Sequence, residues 1–177
     1  MMQSFKFEHR FSLPPVHLVR LLDDLAFRQY LVDNLANVHA SERIRFDDTG
    51  YERFKTIRVY PKMNLPSWIE RAFKDPESYF EMNYRLDKTR MVEKIEGTSH
   101  FGKVIGEVVY LPEGLSGTIR RFQGEFSCRF SVIGPAIEKF YLRHMGDMQD
   151  MEADLTQKYI ASRNVAVMPP QMRKSHV

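Results

Sequence analysis

The sequence predicts an α+β domain in which an antiparallel sheet and a long C-terminal helix cover one another. Phe126, Cys128 and Phe130 alternate with polar residues, the period-two pattern of a strand with one buried face. Gly134 breaks this strand, and Pro135 suits the first turn of a helix, where its missing N–H costs no hydrogen bond. A helix of about seven turns follows. Because strand and helix each have one apolar side, they must pack on each other or on a shared core.

The apolar stripe of this helix is rich in methionine and tyrosine. Its members recur every three or four residues, which places them on one face. They are Ile137, Tyr141, His144, Met148, Met151, Leu155 and Tyr159. Such a stripe is typical of a packed core, but flexible thioethers also suit the wall of a ligand cavity.

The chain opens with a strand and two helices. In residues 5–11 aromatic and histidine side chains alternate with charged ones, which predicts a strand. Two prolines within residues 12–15 end this strand and start a helix that runs to Asp24. A second helix is predicted over residues 25–36.

Five more strands lie between the helix pair and the last strand, which makes seven. Residues 41–46 and 52–60 flank a turn at residues 47–50, a hairpin signal because Gly50 tolerates positive φ. Further strands are predicted at residues 79–86, 90–97 and 103–111. The short separations between these strands indicate an antiparallel meander.

Composition and charge fit one domain with a neutral body. The 177 residues predict a single domain over residues 1–162 and a flexible tail over residues 163–177. The tail holds three basic residues and no acid, so 23 of the 26 basic residues remain to balance 23 acidic ones. A nucleic-acid binder needs a concentrated positive face, so nucleic acid is not an expected partner. Without an apolar leader or spanning segment, and with Cys128 as the single cysteine, we expect the cytoplasm.

The order of elements resembles the START-like helix-grip superfamily (SRPBCC, pollen-allergen-type). Residues 5–27 are similar to its usual entry from strand to helix, and residues 124–140 resemble the strand-to-helix junction of a bacterial branch of uncharacterised proteins. The resemblance covers about residues 4–161 and implies a curved seven-stranded antiparallel sheet around the C-terminal helix, with an apolar cavity between them. The superfamily includes lipid-transfer domains and polyketide aromatase/cyclases, so the fold does not decide the function.

We therefore expect non-enzymatic binding, or transport, of a lipid or another hydrophobic small molecule in that cavity. Trp68, in a short predicted helix over residues 65–73, is expected at the cavity mouth, or alternatively on a helix that only caps the core. The residues predicted to contact the ligand are Trp68, Phe80, Met82, Tyr84, Phe126, Phe130, Tyr141, His144, Met148 and Met151. His9 and His144 could orient the ligand or simply be hydrogen-bonded core residues.

Two alternatives stay open. An aromatase/cyclase-like enzyme needs two or more polar side chains converging in the cavity, whereas the inward faces are predicted to be almost wholly apolar. A protein-interaction module would have a filled core. No cofactor or metal is expected, because the six histidines lack metal-binding spacing, and Cys128 is expected to be a buried, inert thiol.

One predicted hairpin concentrates positive charge. Its basic residues are Arg43, Arg45, Arg53, Lys55 and Arg58. They fit a solvated outer face of the sheet, or else a peripheral contact with anionic lipid headgroups.

Overall fold

A computed structural model describes residues 2–36, 38–61, 67, 79–131 and 133–167, and within them the chain forms seven strands and three helices. The strands are β1 (Met2–Phe11), β2 (Val38–Asp48), β3 (Glu52–Pro61), β4 (Phe80–Asp87), β5 (Val92–Thr98), β6 (Gly102–Glu113) and β7 (Gly117–Cys128). The helices are α1 (Pro15–Asp23), α2 (Leu25–Asn34) and α3 (Gly134–Val167). The predicted α+β class and element order are confirmed.

The seven strands form one antiparallel sheet in the order β1-β7-β6-β5-β4-β3-β2. Strands β2 to β7 are a meander, and β1 joins its far edge by pairing with β7 over its whole length, from Met2 opposite Ser127 to Phe11 opposite Thr118. Two register shifts in β2, between Val38 and Ala40 and between Arg43 and Arg45, interrupt the ladder at the opposite edge. Such bulges bend a strand and increase its twist.

Two facing glycines let β6 and β7 approach closely at the middle of the sheet. Gly106 and Gly124 are register partners. A Cβ atom built on Gly124 would lie 2.7 Å from the Gly106 Cα atom and closer still to the carbonyl oxygen of Ile105. These neighbours are backbone atoms and cannot rotate away, so the position accepts no side chain. Glycines at such places mark tight bends or close backbone approach.

Helix α3 lies across the inner face of the sheet and contacts β1 and β7. Its most buried side chains include Met145, Ala153, Thr156 and Ile160. The predicted stripe is therefore rotated by a fraction of a turn, because Met148, Met151 and Leu155 are only partly buried. The rotation brings Gln149 and Glu152 towards the buried Arg120 of β7, whereas a helical wheel based on apolar residues alone places both on the exposed side.

The ends of β7 and α3 differ from the prediction. Strand β7 ends at Cys128, so Phe130 lies beyond it, where it packs beside Ile137 in a second core cluster. Helix α3 continues through Val167, so residues 163–167 are helical, and residues 168–177 of the predicted tail lie outside the described residues. Of the predicted helix at residues 65–73 only Ser67 is described, so Trp68 also lies outside.

None of the described helices is long and apolar enough to cross a membrane.

Substitution of Gly124 by alanine tests the close approach of β6 and β7. We expect Gly124→Ala to lower the free energy of unfolding by about 1–3 kcal/mol, since the added methyl group meets backbone atoms that cannot move away cheaply. Urea denaturation measures the loss. Gly50→Ala is the matched control, because a Cβ atom at Gly50 has no neighbour within 4 Å. Equal effects of the two substitutions would contradict the close approach.

Candidate functional site

A cavity of about 250 Å³ lies between the inner face of the sheet and helices α2 and α3. Most of its wall is apolar. The apolar lining includes Leu31, Val32 and Leu35 of α2, Ile57, Phe80, Met82 and Val104 of the sheet, and Tyr141, Met145 and Met148 of α3. Packed protein interiors leave few voids larger than a water molecule, so a space of this size is a feature that needs an explanation.

The cavity brings together six of the residues that the sequence predicts as ligand contacts. These are Phe80, Met82, Tyr84, Tyr141, His144 and Met148. Phe126, Phe130 and Met151 are not among the lining residues. The ring of Phe126 stacks on Tyr141, with centroids 4.1 Å apart, and supports the wall from behind. Which of these residues touch a ligand stays a prediction.

His144 contributes a polar atom to the apolar part of the wall. Its ring stacks on Phe140 at a centroid distance of 5.6 Å. Its Nε2 atom is buried and has no hydrogen-bond partner among the described residues. Since buried polar atoms are nearly always paired, an atom of a bound molecule or a water is the expected partner of Nε2.

The other end of the cavity borders a buried group of four charged side chains. Arg53 of β3 donates a hydrogen bond to Glu93 of β5 at 2.5 Å and another to Asp23, the last residue of α1. Lys55 donates to Asp23 at 3.1 Å and lies 3.7 Å from Glu93. The hydroxyl of Tyr110 also donates to Glu93, at 3.0 Å. This group ties the helix pair to the inner face of the sheet.

The charge states of this group follow from its contacts. Burial alone would raise the pKa of Glu93, but the charges of Lys55 and Arg53 and the hydrogen bonds from Arg53 and Tyr110 outweigh it and lower that pKa. Burial and the nearby Glu93 carboxylate raise the pKa of Tyr110. At neutral pH Glu93 is therefore a carboxylate and Tyr110 a neutral hydrogen-bond donor.

A second buried ion pair joins the sheet to α3. Arg120 of β7 donates to Glu152 at 2.6 Å and to Gln149 at 3.3 Å. Burial alone would lower the pKa of Arg120, but Glu152 outweighs it and the pKa is raised. Arg120, Gln149 and Glu152 all line the cavity, so this end has a polar wall.

The comparison with known protein families identifies the chain. Residues 6–160 match the family model described as "Protein of unknown function (DUF2505)". The chain belongs to this family. No curated protein matches the sequence.

Solved structures share the fold of this DUF2505 chain, which is the helix-grip fold that its sequence predicts. TTHA0849 from Thermus thermophilus is 16% identical with a TM-score of 0.67, and the alignment covers 91% of this chain and 99% of that one. The Zhui aromatase/cyclase from Streptomyces sp. R1128 is 14% identical with a TM-score of 0.64, over 93% and 96%. A START superfamily protein from Mycobacterium smegmatis is 11% identical with a TM-score of 0.57, over 91% and 97%. At these identities the likeness concerns the fold.

The structure corrects the prediction that the inward faces of this DUF2505 chain are almost wholly apolar. Arg53, Lys55, Glu93 and Arg120 are all buried on the inner face of the sheet. The alternation in β3 could not reveal this, because both of its faces carry cationic and apolar residues. Arg53 and Lys55 share a face with Ile57, whereas Arg58 shares the other with Phe54.

The basic hairpin is consequently not a free cationic surface for lipid headgroups. Arg53 and Lys55 are buried in ion pairs. Arg58 pairs with Glu81 at 3.1 Å, and Arg45 pairs with Asp47. Arg43 donates to the backbone carbonyl of Asp23 at 3.2 Å.

The remaining candidate residues have structural contacts. His9 lies on the inner side of β1, where its Nε2–H group donates a hydrogen bond to the Asp150 carboxylate at 2.8 Å, and it does not line the cavity. Cys128 is partly buried, and its backbone N–H donates to Glu138 at 3.0 Å. Within the described residues no group of three or more His, Cys, Asp or Glu side chains could hold a metal ion.

Neutralising Glu93 tests the buried charge group. We expect Glu93→Gln to lower the free energy of unfolding by about 3 kcal/mol or more, because Arg53 and Lys55 then keep only Asp23 as an anionic partner. Since the folded protein lowers the Glu93 pKa from its ordinary 4.5, the stabilisation is present above that pH and is lost on further acidification. The difference between wild type and variant in urea denaturation should therefore shrink below about pH 4.5.

Glu96→Gln is the control on the same strand. Glu96 pairs with Lys103 at 2.5 Å, but both side chains are largely exposed, so the loss should be under about 1 kcal/mol. A Glu93→Gln variant no less stable than Glu96→Gln would refute the structural role of the charge group.

Proposed function

We propose that the protein binds one small, largely hydrophobic molecule in the cavity between the sheet and α3. The observation that carries the proposal is the cavity itself, about 250 Å³ of space with a mostly apolar wall between the sheet and the helices. Burial of an apolar ligand there would contribute about 25 cal/mol per Å² before the cost of association. The polar end of the cavity and the unpartnered Nε2 atom of His144 would orient the molecule.

The size of the cavity narrows the class of ligand. Pockets for drug-sized molecules measure roughly 300–1,000 Å³, so 250 Å³ suits a smaller molecule. The size therefore favours a molecule with a single short chain or ring.

An enzymatic role is the second candidate, and the polar end of the cavity is what favours it. Tyr84, Glu93, Tyr110 and Arg120 converge there, as a catalytic pocket requires. However, Glu93 and Arg120 are held in ion pairs, and burial raises the pKa values of Tyr84 and Tyr110. General acid–base catalysis works best with a pKa near the operating pH, so these four groups favour binding over proton transfer.

Native mass spectrometry of freshly purified protein tests occupancy directly. We expect an added mass of a small molecule that is lost on organic extraction, because an apolar cavity of this size binds an apolar molecule more favourably than water. An apo mass, together with no binding of added 1-octanol in isothermal titration calorimetry, would refute the proposed function.

Two methionines of α3 offer a matched test of where the molecule binds. Met148 lines the cavity, whereas Met151, also partly buried on the same helix, does not. Met148→Trp should fill part of the cavity and weaken 1-octanol binding by about tenfold or more, equivalent to at least 1.4 kcal/mol of lost contact. Met151→Trp should bind 1-octanol like the wild type. Equal weakening by both variants would place the binding site elsewhere.

A further inference from the structure

Arg28 of α2 is a cation in the cavity wall, and none of the described carboxylates forms an ion pair with it. Three cationic side chains line the cavity, namely Arg28, Lys55 and Arg120. Lys55 belongs to the buried group with Arg53, in which two cations face the carboxylates of Asp23 and Glu93. Arg120 is balanced by Glu152. Among the described residues Arg28 forms no ion pair, so this end of the cavity carries one uncompensated positive charge.

The surroundings of Arg28 make that charge costly. The side chain is partly buried, and one guanidinium nitrogen donates to the hydroxyl oxygen of Ser41 at 2.5 Å. Burial lowers the pKa of Arg28, and the neighbouring charge of Arg43 lowers it further, although Tyr84, Asp23 and Glu152 act in the opposite direction. A guanidinium keeps its charge in proteins, so an anion bound in the cavity would stabilise Arg28.

The donors around Arg28 suit a carboxylate. The planar guanidinium presents several N–H groups in a fork that matches the two oxygens of a carboxylate, and only one of its nitrogens is engaged by Ser41. The Ser41 hydroxyl, which also lines the cavity, accepts this bond and keeps its own hydrogen to donate. Together they supply several hydrogen bonds, of which an alcohol would use only some and a hydrocarbon none.

The cavity also provides a place for an apolar body. On α3, Glu152 lies at the polar end of the cavity and His144 lies in its apolar part. The two are eight residues apart, which is about 12 Å along the helix axis. Between them the wall is formed by apolar side chains such as Met145 and Met148. An amphiphile with its head at the polar end would therefore place its body against apolar residues.

Resting on the proposed function, we infer that the molecule bound in this cavity is a small hydrophobic carboxylic acid in its anionic form. Its carboxylate binds Arg28 and Ser41, and its apolar chain or ring extends along Met145 and Met148 towards Tyr141. Arg28 thus sets the specificity for an acid over an uncharged molecule of the same size.

Octanoate and 1-octanol test this inference as probes, since they share an eight-carbon chain and differ in the charge of the head. Isothermal titration calorimetry should give wild-type protein about tenfold or greater preference for octanoate, as expected for a charge-assisted hydrogen bond. Arg28→Met should lose this preference while still binding 1-octanol. Arg143→Met removes the same charge from an exposed position of α3 and should retain the wild-type preference.

The outcomes separate the two proposals. If the wild type binds 1-octanol as tightly as octanoate, the inference fails and the proposed function stands. If neither probe binds, both fail. If Arg28→Met weakens both probes equally, Arg28 supports the fold rather than selecting the acid, and the inference fails. Because the wild-type comparison needs no variant, the inference can be refuted even if Arg28→Met does not fold.

Discussion

The buried group of Arg53, Lys55, Asp23 and Glu93 is the constraint on which the interior of this domain depends. It joins the end of α1 to strands β3 and β5, so it fixes the helix pair over the sheet. Each of these charges would be costly if buried alone, and each is matched by opposite charges within the group. The domain can therefore bury these charged side chains and remain folded. At this end the contact between the helix pair and the sheet is made by ion pairs as well as by apolar side chains.

The register of the sheet places apolar and charged side chains at different levels along the strands of its inner face. Ile57, Met82 and Val104 occupy one level across the inner face, whereas Arg53, Glu93 and Val108 share a level further along the strands. Next to the latter level, Tyr110 pairs with Arg120. The cavity spans these levels, so a ligand inside it meets apolar walls at one end and ion pairs at the other. Such a site orients an amphipathic molecule by matching both of its ends.

The fold leaves the choice between binding and catalysis open, as expected of a widely used scaffold. The structural neighbours include a named aromatase/cyclase and a START superfamily protein, both at low identity. What separates these roles is the state of the polar groups in the cavity. Here the carboxylate and guanidinium groups are mostly engaged with each other, and the pKa values of the buried tyrosines are raised away from neutral pH. This arrangement supports the proposed binding function, in which His144 and Arg28 are the polar groups that would contact the ligand.

The sequence by itself determined the elements, their order and much of the apolar part of the cavity. Local signals sufficed for these, because alternation around Phe126 and the break at Gly134–Pro135 depend on neighbours in the chain. Only the tertiary structure decided which face of β3 turns inwards and how far α3 rotates. Both features depend on ion pairs between residues far apart in the sequence, Arg53 with Glu93 and Arg120 with Glu152. A charged residue is predicted to be exposed unless its buried partner is known. The polar end of the cavity was hidden from sequence reasoning for this reason.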